Sequence, residues 1–170
     1  VVGIVAIVSL VRVDAAIERE VNRLDPANAA VLDMYGGMLD QETGVRGYVL
    51  AHDTSFLQPY QDGLTEQSQA QTTAERLLAH EPVLSAQLKA AQAADADWQD
   101  AYAKPAIARV QAGQDVSADL TNTGKTKFDA VRAAYTTLRT ELAVARANAK
   151  NQLESAVTTR WIAIGVAACV

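Results

Sequence analysis

The stretch LDQETGVRGYVLAHDTSFLQPY, residues 39–60, holds the end of one long helix, a turn and the start of the next helix. Helical periodicity extends from Val31 to about Ala51, and the polar run 52–55 then predicts a turn with Asp53 or Thr54 as N-cap. Because short turns between long helices favour antiparallel neighbours, this stretch predicts a helical hairpin.

The composition of the 170 residues also favours helices. Alanine is abundant, aromatic residues make up 5% of the chain, and the sequence has only 9 glycines and 4 prolines. A sheet would call for more β-branched and aromatic residues. The net charge of −5 argues against nucleic-acid binding by bulk electrostatics. Cys169 is the only cysteine, which fits an oxidising compartment without disulfides.

Three further helices complete the predicted pattern. The second runs from Pro59 towards Ala79, and the third starts near Pro82, is kinked by Pro105 and ends by Gly113. The last is predicted from Lys125 to Val170, roughly 70 Å at 1.5 Å per residue. It carries the clearest heptad seam of the chain: Phe128, Val131, Tyr135, Leu138, Leu142, Ala145, Ala149 and Leu153.

Both ends of the chain are apolar. Residues 1–11 carry no charge, and the same holds for the run that follows Trp161. Each run is about half of the roughly 20 apolar residues that span a bilayer, and Arg160 and Trp161 are residue types found at membrane interfaces. We therefore predict the end of a first transmembrane helix at 1–11, a periplasmic helical-bundle sensor domain at 12–160 and the start of a second transmembrane helix at 161–170. Two buried helix ends are the alternative.

These observations together predict an all-α fold, an up-down four-helix bundle. Its long first and last helices would run into two flanking transmembrane helices. Four antiparallel helices bring both termini to one end of the bundle, as two spans of one membrane require.

The first bundle helix combines charges with apolar positions. A heptad frame places six of its side chains towards the core: Leu32, Tyr35, Leu39, Glu42, Arg46 and Val49. Glu42 and Arg46 are four residues apart and can pair on one face. Buried, this pair would fix the helix register, whereas at the rim of the core it would contribute a few tenths of a kcal/mol. We favour a register role over ligand contact.

Glycines lie on an adjacent face of the same helix. Gly37, Gly44 and Gly47 each cost about 1 kcal/mol relative to alanine in a helix interior. Close approach of a neighbouring backbone and local mobility are two explanations that the sequence leaves open.

Catalytic and metal signatures are weak. His52 and His80 are isolated in turns, without a second ligand at zinc spacing. Asp95, Asp97 and Asp100 point in different directions on a helix, so a solvated face is favoured over a metal site. We predict no catalytic residue, no cofactor and no metal.

Two aromatic residues are candidates for a pocket or an interface. Trp98 and Tyr102 are four residues apart on the third helix. They are most simply core or dimer contacts, although aromatic side chains also line ligand pockets.

Two blocks of the sequence resemble a known family. The first block consists of Leu39-Asp40, Glu42-Thr43-Gly44 and Arg46-Gly47-Tyr48-Val49-Leu50, followed by Asp53, Phe56-Leu57 and Pro59-Tyr60. The second consists of Gly124-Lys125, Phe128-Asp129 and Val131-Arg132. Together they resemble the third class of CHASE domains, the extracellular sensory domains associated with cyclases and histidine kinases. Ala51-His52 depart from that pattern, in which a glycine usually precedes Asp53.

The resemblance implies a sensory module between two transmembrane helices of a bacterial inner-membrane receptor. The receptor would be a homodimer, and a cytoplasmic histidine kinase, cyclase, diguanylate cyclase or chemotaxis-type effector would follow in the same chain. A small molecule or a protein would be the stimulus. The signal or ligand region would comprise Asp40, Glu42, Thr43, Gly44, Arg46, Gly47 and Tyr48. The alternative is a helical spacer or dimerisation module that senses nothing itself.

Overall fold

Five α-helices account for most of the computed structural model, which describes residue 17 and residues 19–168, with side chains at 17, 19 and 21–159. The helices are α1 (Asp25–Ala51), α2 (Leu57–Leu78), α3 (Pro82–Trp98), α4 (Lys104–Gln111) and α5 (Ala118–Ala168). Two π-helical turns, Glu20–Leu24 and Gln99–Ala103, and a 3-10 turn, Thr54–Phe56, accompany them. No strand occurs in this part of the chain, so the predicted all-α class is confirmed.

α3 and α4 together form one long helix with a π turn inside it. The turn Gln99–Ala103 joins α3 to α4, and the backbone N–H of Lys104 donates to the carbonyl of Gln99. Pro105 lies in the first turn of α4, directly after the π turn, and lacks the N–H that would bond to that turn. The irregularity of this helix is thus a π turn that ends just before the proline at which the sequence predicts a kink.

The four arms, α1, α2, α3 with α4, and α5, run alternately up and down. Between α1 and α2, Gly37 lies opposite Gly63, whereas Gly44 lies opposite Tyr60. The contacts between α3 and α5 have the same sense, because Asp95 meets Tyr135 and the later Tyr102 meets the earlier Gly124. Consecutive arms joined by short turns are thus antiparallel.

The long last helix has the inner face that its heptads predict. Six of the eight seam residues are buried and the other two, Ala145 and Leu153, are half-buried. The helix begins at Ala118, seven residues before the predicted start at Lys125, so Gly124 lies inside it. Its 51 residues measure about 75 Å at 1.5 Å per residue.

The first long helix is rotated relative to the prediction. Its inner face consists of Val31, Met34, Met38, Gln41, Val45 and Tyr48. Each of these positions is one residue before its counterpart in the predicted seam. The heptad frame predicted for this helix is therefore wrong by one residue. Leu32, Leu39 and Arg46 are exposed.

Contact with α2 explains the rotation. A Cβ on Gly37 would lie 2.6 Å from the carbonyl oxygen of Gly63, and one on Gly44 would lie 2.7 Å from the backbone N of Tyr60. Neither position can carry a side chain without moving a backbone, so α1 must turn its glycines towards α2. Close backbone approach, one of the two explanations left open for these glycines, is therefore observed at Gly37 and Gly44, whereas Gly47 lies against the ring of Phe56.

The predicted membrane segments are only partly within the described residues. Residues 1–11 lie outside them, and of the predicted segment 161–170 the backbone is described as far as Ala168, as a continuation of α5. No helix in the described part of the chain combines the length and the apolar character that crossing a bilayer requires.

Replacing two neighbouring glycines with alanine should have opposite effects on stability. A Cβ at Gly36 meets nothing within 4 Å, so Gly36→Ala should raise the free energy of unfolding by up to about 1 kcal/mol. Gly37→Ala should lower it by about 1–3 kcal/mol, because the added methyl group forces α1 and α2 apart. Thermal unfolding followed by circular dichroism measures both. Equal shifts of the same sign would contradict the packing described here.

Candidate functional site

Five polar side chains meet inside the bundle. They come from all four arms: Gln41 from α1, Gln67 from α2, Asp95 from α3, Gln99 from the π turn that follows it and Tyr135 from α5. Gln41, Gln67, Asp95 and Tyr135 are buried, because each occupies an inward position of its own helix. We refer to these five residues as the polar network.

The hydrogen bonds of the polar network are directed towards one carboxylate. Gln99 Nε2 donates to Gln41 Oε1 at 2.8 Å, and Gln41 Nε2 donates to Gln67 Oε1 at 2.8 Å. Gln67 Nε2 then donates to Asp95 Oδ2 at 2.6 Å, and the Tyr135 hydroxyl donates to the same oxygen at 2.9 Å. In a low-dielectric interior, donors aligned in this way polarise one another and strengthen the chain.

Asp95 has an unusual environment for a carboxylate. Burial raises the pKa of Asp95 to about 7, and the hydrogen bonds from Tyr135 and Gln67 offset only part of that effect. Its second oxygen, Oδ1, is buried and accepts no hydrogen bond from the described residues. None of the ion pairs formed by these residues includes Asp95. A carboxylate without a cation in the core binds a proton at much higher pH than one in water.

Tyr135 serves this carboxylate as a neutral donor. Burial is the main cause that raises the pKa of Tyr135, and the neighbouring Asp95 raises it further. The hydroxyl therefore keeps its proton throughout the physiological range. Its ring also lies 5.1 Å from the ring of Tyr35 on α1, which fixes α5 against a second arm at the same level.

The acidic cluster on the third arm is divided between core and surface. Asp97 pairs with Lys127 at 2.8 Å and Asp100 pairs with Lys104, both on exposed surfaces, so the three carboxylates point apart as predicted. The prediction of a solvated face is wrong for Asp95. That residue continues the buried row that includes Leu84, Leu88, Ala91 and Trp98. The described residues contain no group of three or more His, Cys, Asp or Glu arranged to hold a metal ion.

An aromatic cluster lies one turn beyond Asp95. The ring of Trp98 is 5.9 Å from that of Tyr102 and 5.4 Å from that of Phe128. Gly124 packs directly on Tyr102, since a Cβ there would lie 2.6 Å from the ring carbon Cγ. Both predicted aromatic candidates are thus core residues, and the Nε1 of Trp98 is buried without a hydrogen-bond partner among the described residues.

The charged pair of the first helix lies at the rim of the core, with Arg46 exposed and Glu42 half-buried. Arg46 Nη1 is 3.3 Å from Glu42 Oε1, and 69% of the Arg46 side chain is exposed. The prediction of a buried pair that fixes the register is therefore wrong, because the rotation of α1 carries Arg46 outward. The charges of the pair still act on Tyr102, whose pKa is raised by burial first and then by Glu42, with Arg46 opposing.

The remaining residues of the first block divide between packing and surface. Gly44 and Gly47 lie against Phe56 and the start of α2, and Tyr48 is buried. Asp40 and Thr43 are exposed. The first block thus joins α1 to α2, and the charges of its Glu42–Arg46 pair act on Tyr102, on which Gly124 of the second block packs.

An open groove runs along α1 and α2 on the outer surface. It has a volume of about 640 Å³, and its acidic lining residues are Asp33, Asp40 and Glu66. Its other lining residues are Pro26, Ala29, Ala30, Leu32, Gly36, Gln69, Ala70 and Thr73. Of the predicted site residues, only Asp40 contributes to it.

The three glutamines of the polar network are not among the residues predicted from the sequence. Gln41 occupies a heptad position once the α1 frame is moved by one residue, and Gln67 and Gln99 are ordinary surface residue types elsewhere. The available signal was positional, because Tyr135 lies in the predicted seam of α5 and Asp95 lies four residues after Ala91 and three before Trp98.

Ion pairs hold the opposite end of the bundle. Arg19 forms two hydrogen bonds of 2.8 Å with Glu81, in the turn between α2 and α3. These bonds are the main cause that lowers the pKa of Glu81. Arg146 of α5 pairs with Asp25 at the start of α1. The pairs connect elements that lie far apart in the sequence.

Comparison with known proteins gives one match. The family model of the CHASE3 domain matches residues 17–152, a range that includes all of α1 to α4 and most of α5. No curated protein and no solved structure matches the chain.

Stability should fall as the pH rises from 5 to 8. The pKa of Asp95 is about 7 in the folded state against 3.8 in an unperturbed carboxyl, so the folded state binds the proton more tightly. That stabilisation is complete below the unfolded pKa and is lost as the pH rises through 7, a loss of about 2–3 kcal/mol between pH 5 and 8. Urea unfolding at several pH values measures it. The lowered pKa of Glu81 has the opposite effect, but at a pH below this window.

Asp95→Asn should remove most of that pH dependence, because an amide does not ionise. Asp97→Asn, two residues away on the exposed face, serves as the matched control and should keep the wild-type slope. A slope that persists in the Asp95→Asn variant would contradict the assignment.

Proposed function

The chain belongs to the CHASE3 domain family, a family of non-catalytic sensory domains of signalling proteins, and from this premise we propose that it is the extracytoplasmic input domain of a bacterial transmembrane receptor. The receptor is a homodimer in the inner membrane, with residues 12–160 on the periplasmic side. A histidine kinase, nucleotide or diguanylate cyclase, or chemotaxis-type effector in the same chain produces the output. The family match over residues 17–152 is the observation that carries this proposal.

The last helix is suited to carrying the signal. α5 runs without proline from Ala118 to Ala168 and passes Tyr135 of the polar network on the way. A helix of about 75 Å moves as a rod, so a displacement at one point is transmitted along its length.

Contacts with other arms fix the position of that rod. Tyr135 bonds to Asp95 of α3 and stacks near Tyr35 of α1, while Arg146 pairs with Asp25. A stimulus that repacks α1 to α4 therefore also moves α5. It can do so only to the extent that it binds the two packings with different affinity.

The polar residues of the first block are the proposed signal region. Asp40, Thr43 and Arg46 are exposed to a small molecule or a protein, Glu42 is half-buried, and the charges of Glu42 and Arg46 act on Tyr102. Tyr102 packs on Gly124, within the first two turns of α5. A charge bound at Arg46 thus acts electrostatically on Tyr102, which packs on the helix that carries the signal.

A spacer or dimerisation module that senses nothing is the second candidate. The filled interior favours it, because the polar network and the aromatic cluster occupy the centre of the bundle and the groove lies outside. A spacer would tolerate any substitution on its surface that leaves the fold intact.

Arg46→Ala in the full-length receptor distinguishes the two candidates. Exposed ion pairs contribute about 0.5 kcal/mol or less, so the stability of the domain should be nearly unchanged. We expect the basal output or the response of the receptor to change at least twofold, measured by the activity of its effector. Lys104→Ala removes another exposed pair with the same four-residue spacing and serves as the control.

An Arg46→Ala receptor with wild-type output and wild-type stability would refute the signal region and favour the spacer. Equal changes in both variants would point to general surface charge and would refute it as well.

A further inference from the structure

The carboxyl group of Asp95 is placed as a binding site for a proton. It is buried at the level where the polar network joins all four arms, and its hydrogen-bond donors, Gln67 Nε2 and the Tyr135 hydroxyl, are uncharged. With Oδ2 accepting both bonds, Oδ1 is left for the proton, and no described side chain competes for it.

Each helix packed around Asp95 contributes an uncharged group. Gln67 of α2 and Tyr135 of α5 donate to Asp95 directly. Gln41 of α1 donates to Gln67, and Gln99 of the π turn donates to Gln41. Tyr135 is the titratable group among them, and it stays protonated because burial and Asp95 raise its pKa.

Charged groups nearby are held on the surface. Asp97 and Asp100 share the third arm with Asp95 but pair outward with Lys127 and Lys104. On α5, one turn before Tyr135, Arg132 pairs with Asp129 on the surface. The proton equilibrium of Asp95 is therefore governed by burial and by two neutral hydrogen bonds.

We propose that protonation of Asp95 switches the bundle between two packings, so that the external proton concentration is itself an input of this domain. The inference rests on the proposed sensory function and names the stimulus that it receives.

The neutral carboxyl group favours the packing described above. Ionisation places a charge in the core with Oδ1 unpaired, and this favours a looser packing in which water reaches that oxygen. With a pKa of about 7 in the tight packing and 3.8 in the hydrated one, the ratio of the two changes about a hundredfold between pH 5 and 8.

Tyr135 connects this equilibrium to α5. Its hydroxyl donates to the oxygen whose charge changes. Any movement of α3 away from α5 therefore breaks or lengthens that bond. The helix that carries the signal is thus one hydrogen bond from the protonated group.

Tryptophan fluorescence of the chain follows the titration directly. Trp98 is fully buried, three residues after Asp95, and the only other tryptophan is Trp161, so Trp161→Phe leaves a single reporter beside the site. In buffers from pH 4.5 to 9 we expect one transition of the Trp98 emission near pH 7.

Three variants identify the group that titrates. Asp95→Asn should abolish the transition, while Asp97→Asn keeps it. Tyr135→Phe removes a hydrogen bond that lowers the pKa of Asp95, so the midpoint should move to higher pH. A transition that survives in Asp95→Asn, or one absent from the wild-type chain, would overturn the proposal.

The output of the full-length receptor tests the signalling step. We expect its effector activity to change at least twofold between external pH 5 and 8 in the wild type and in Asp97→Asn, and to be independent of pH in Asp95→Asn. An output without pH dependence in the wild type would overturn the inference alone, provided that Arg46→Ala still alters the output. If neither pH nor Arg46→Ala changes the output, the proposed sensory function fails as well.

Discussion

The hydrogen-bonded carboxylate of Asp95 is the constraint on which the arrangement of the four arms depends. A buried carboxyl group needs hydrogen-bond donors. Here each neighbouring arm contributes a polar side chain at the same level of the bundle, and the series of hydrogen bonds ends at Asp95 Oδ2. Such a network tolerates no slip of one helix along another, because a shift of one turn would leave several buried polar groups unpaired. The network therefore specifies the register of the bundle, although apolar side chains would give a more stable core.

The glycines of α1 and α2 place the first two members of that network. Gly37 and Gly63 each lie one turn before a network residue, Gln41 and Gln67 respectively. A Cβ on Gly63 would lie 3.1 Å from Gln41 Cγ, and one on Gly37 would lie 3.1 Å from Gln67 Cβ. Close approach of the two backbones thus brings the amides within 2.8 Å of each other. Packing and polar recognition are two parts of one contact.

Local periodicity predicted most of the fold and little of the site. The heptads of α5 and the turn at Asp53 were both predicted, because each depends on neighbours in the sequence. The frame of α1 was wrong by one residue, since its rotation is set by glycine contacts with α2 that local spacing does not contain. The prediction of a solvated face is wrong for Asp95, because that residue lies in the buried row of α3, between Ala91 and Trp98.

The glutamines of the network could not be predicted from the sequence. Gln67 and Gln99 have no local feature that separates them from the many exposed glutamines of this chain, and only the three-dimensional meeting of four arms gives them a role. The first block, in contrast, was recognised by its pattern, and the structure divides it into glycines that pack and charges that face solvent.

The most direct test of this account is a titration of the Asp95 side-chain carboxyl carbon by ¹³C NMR, with the signal assigned by its loss in Asp95→Asn. The account predicts a midpoint near pH 7, because burial without a cation outweighs two neutral hydrogen bonds. A midpoint near the unperturbed value of 3.8 would contradict it. The carboxylate would then be hydrated or paired in solution, and the polar network could not act as described.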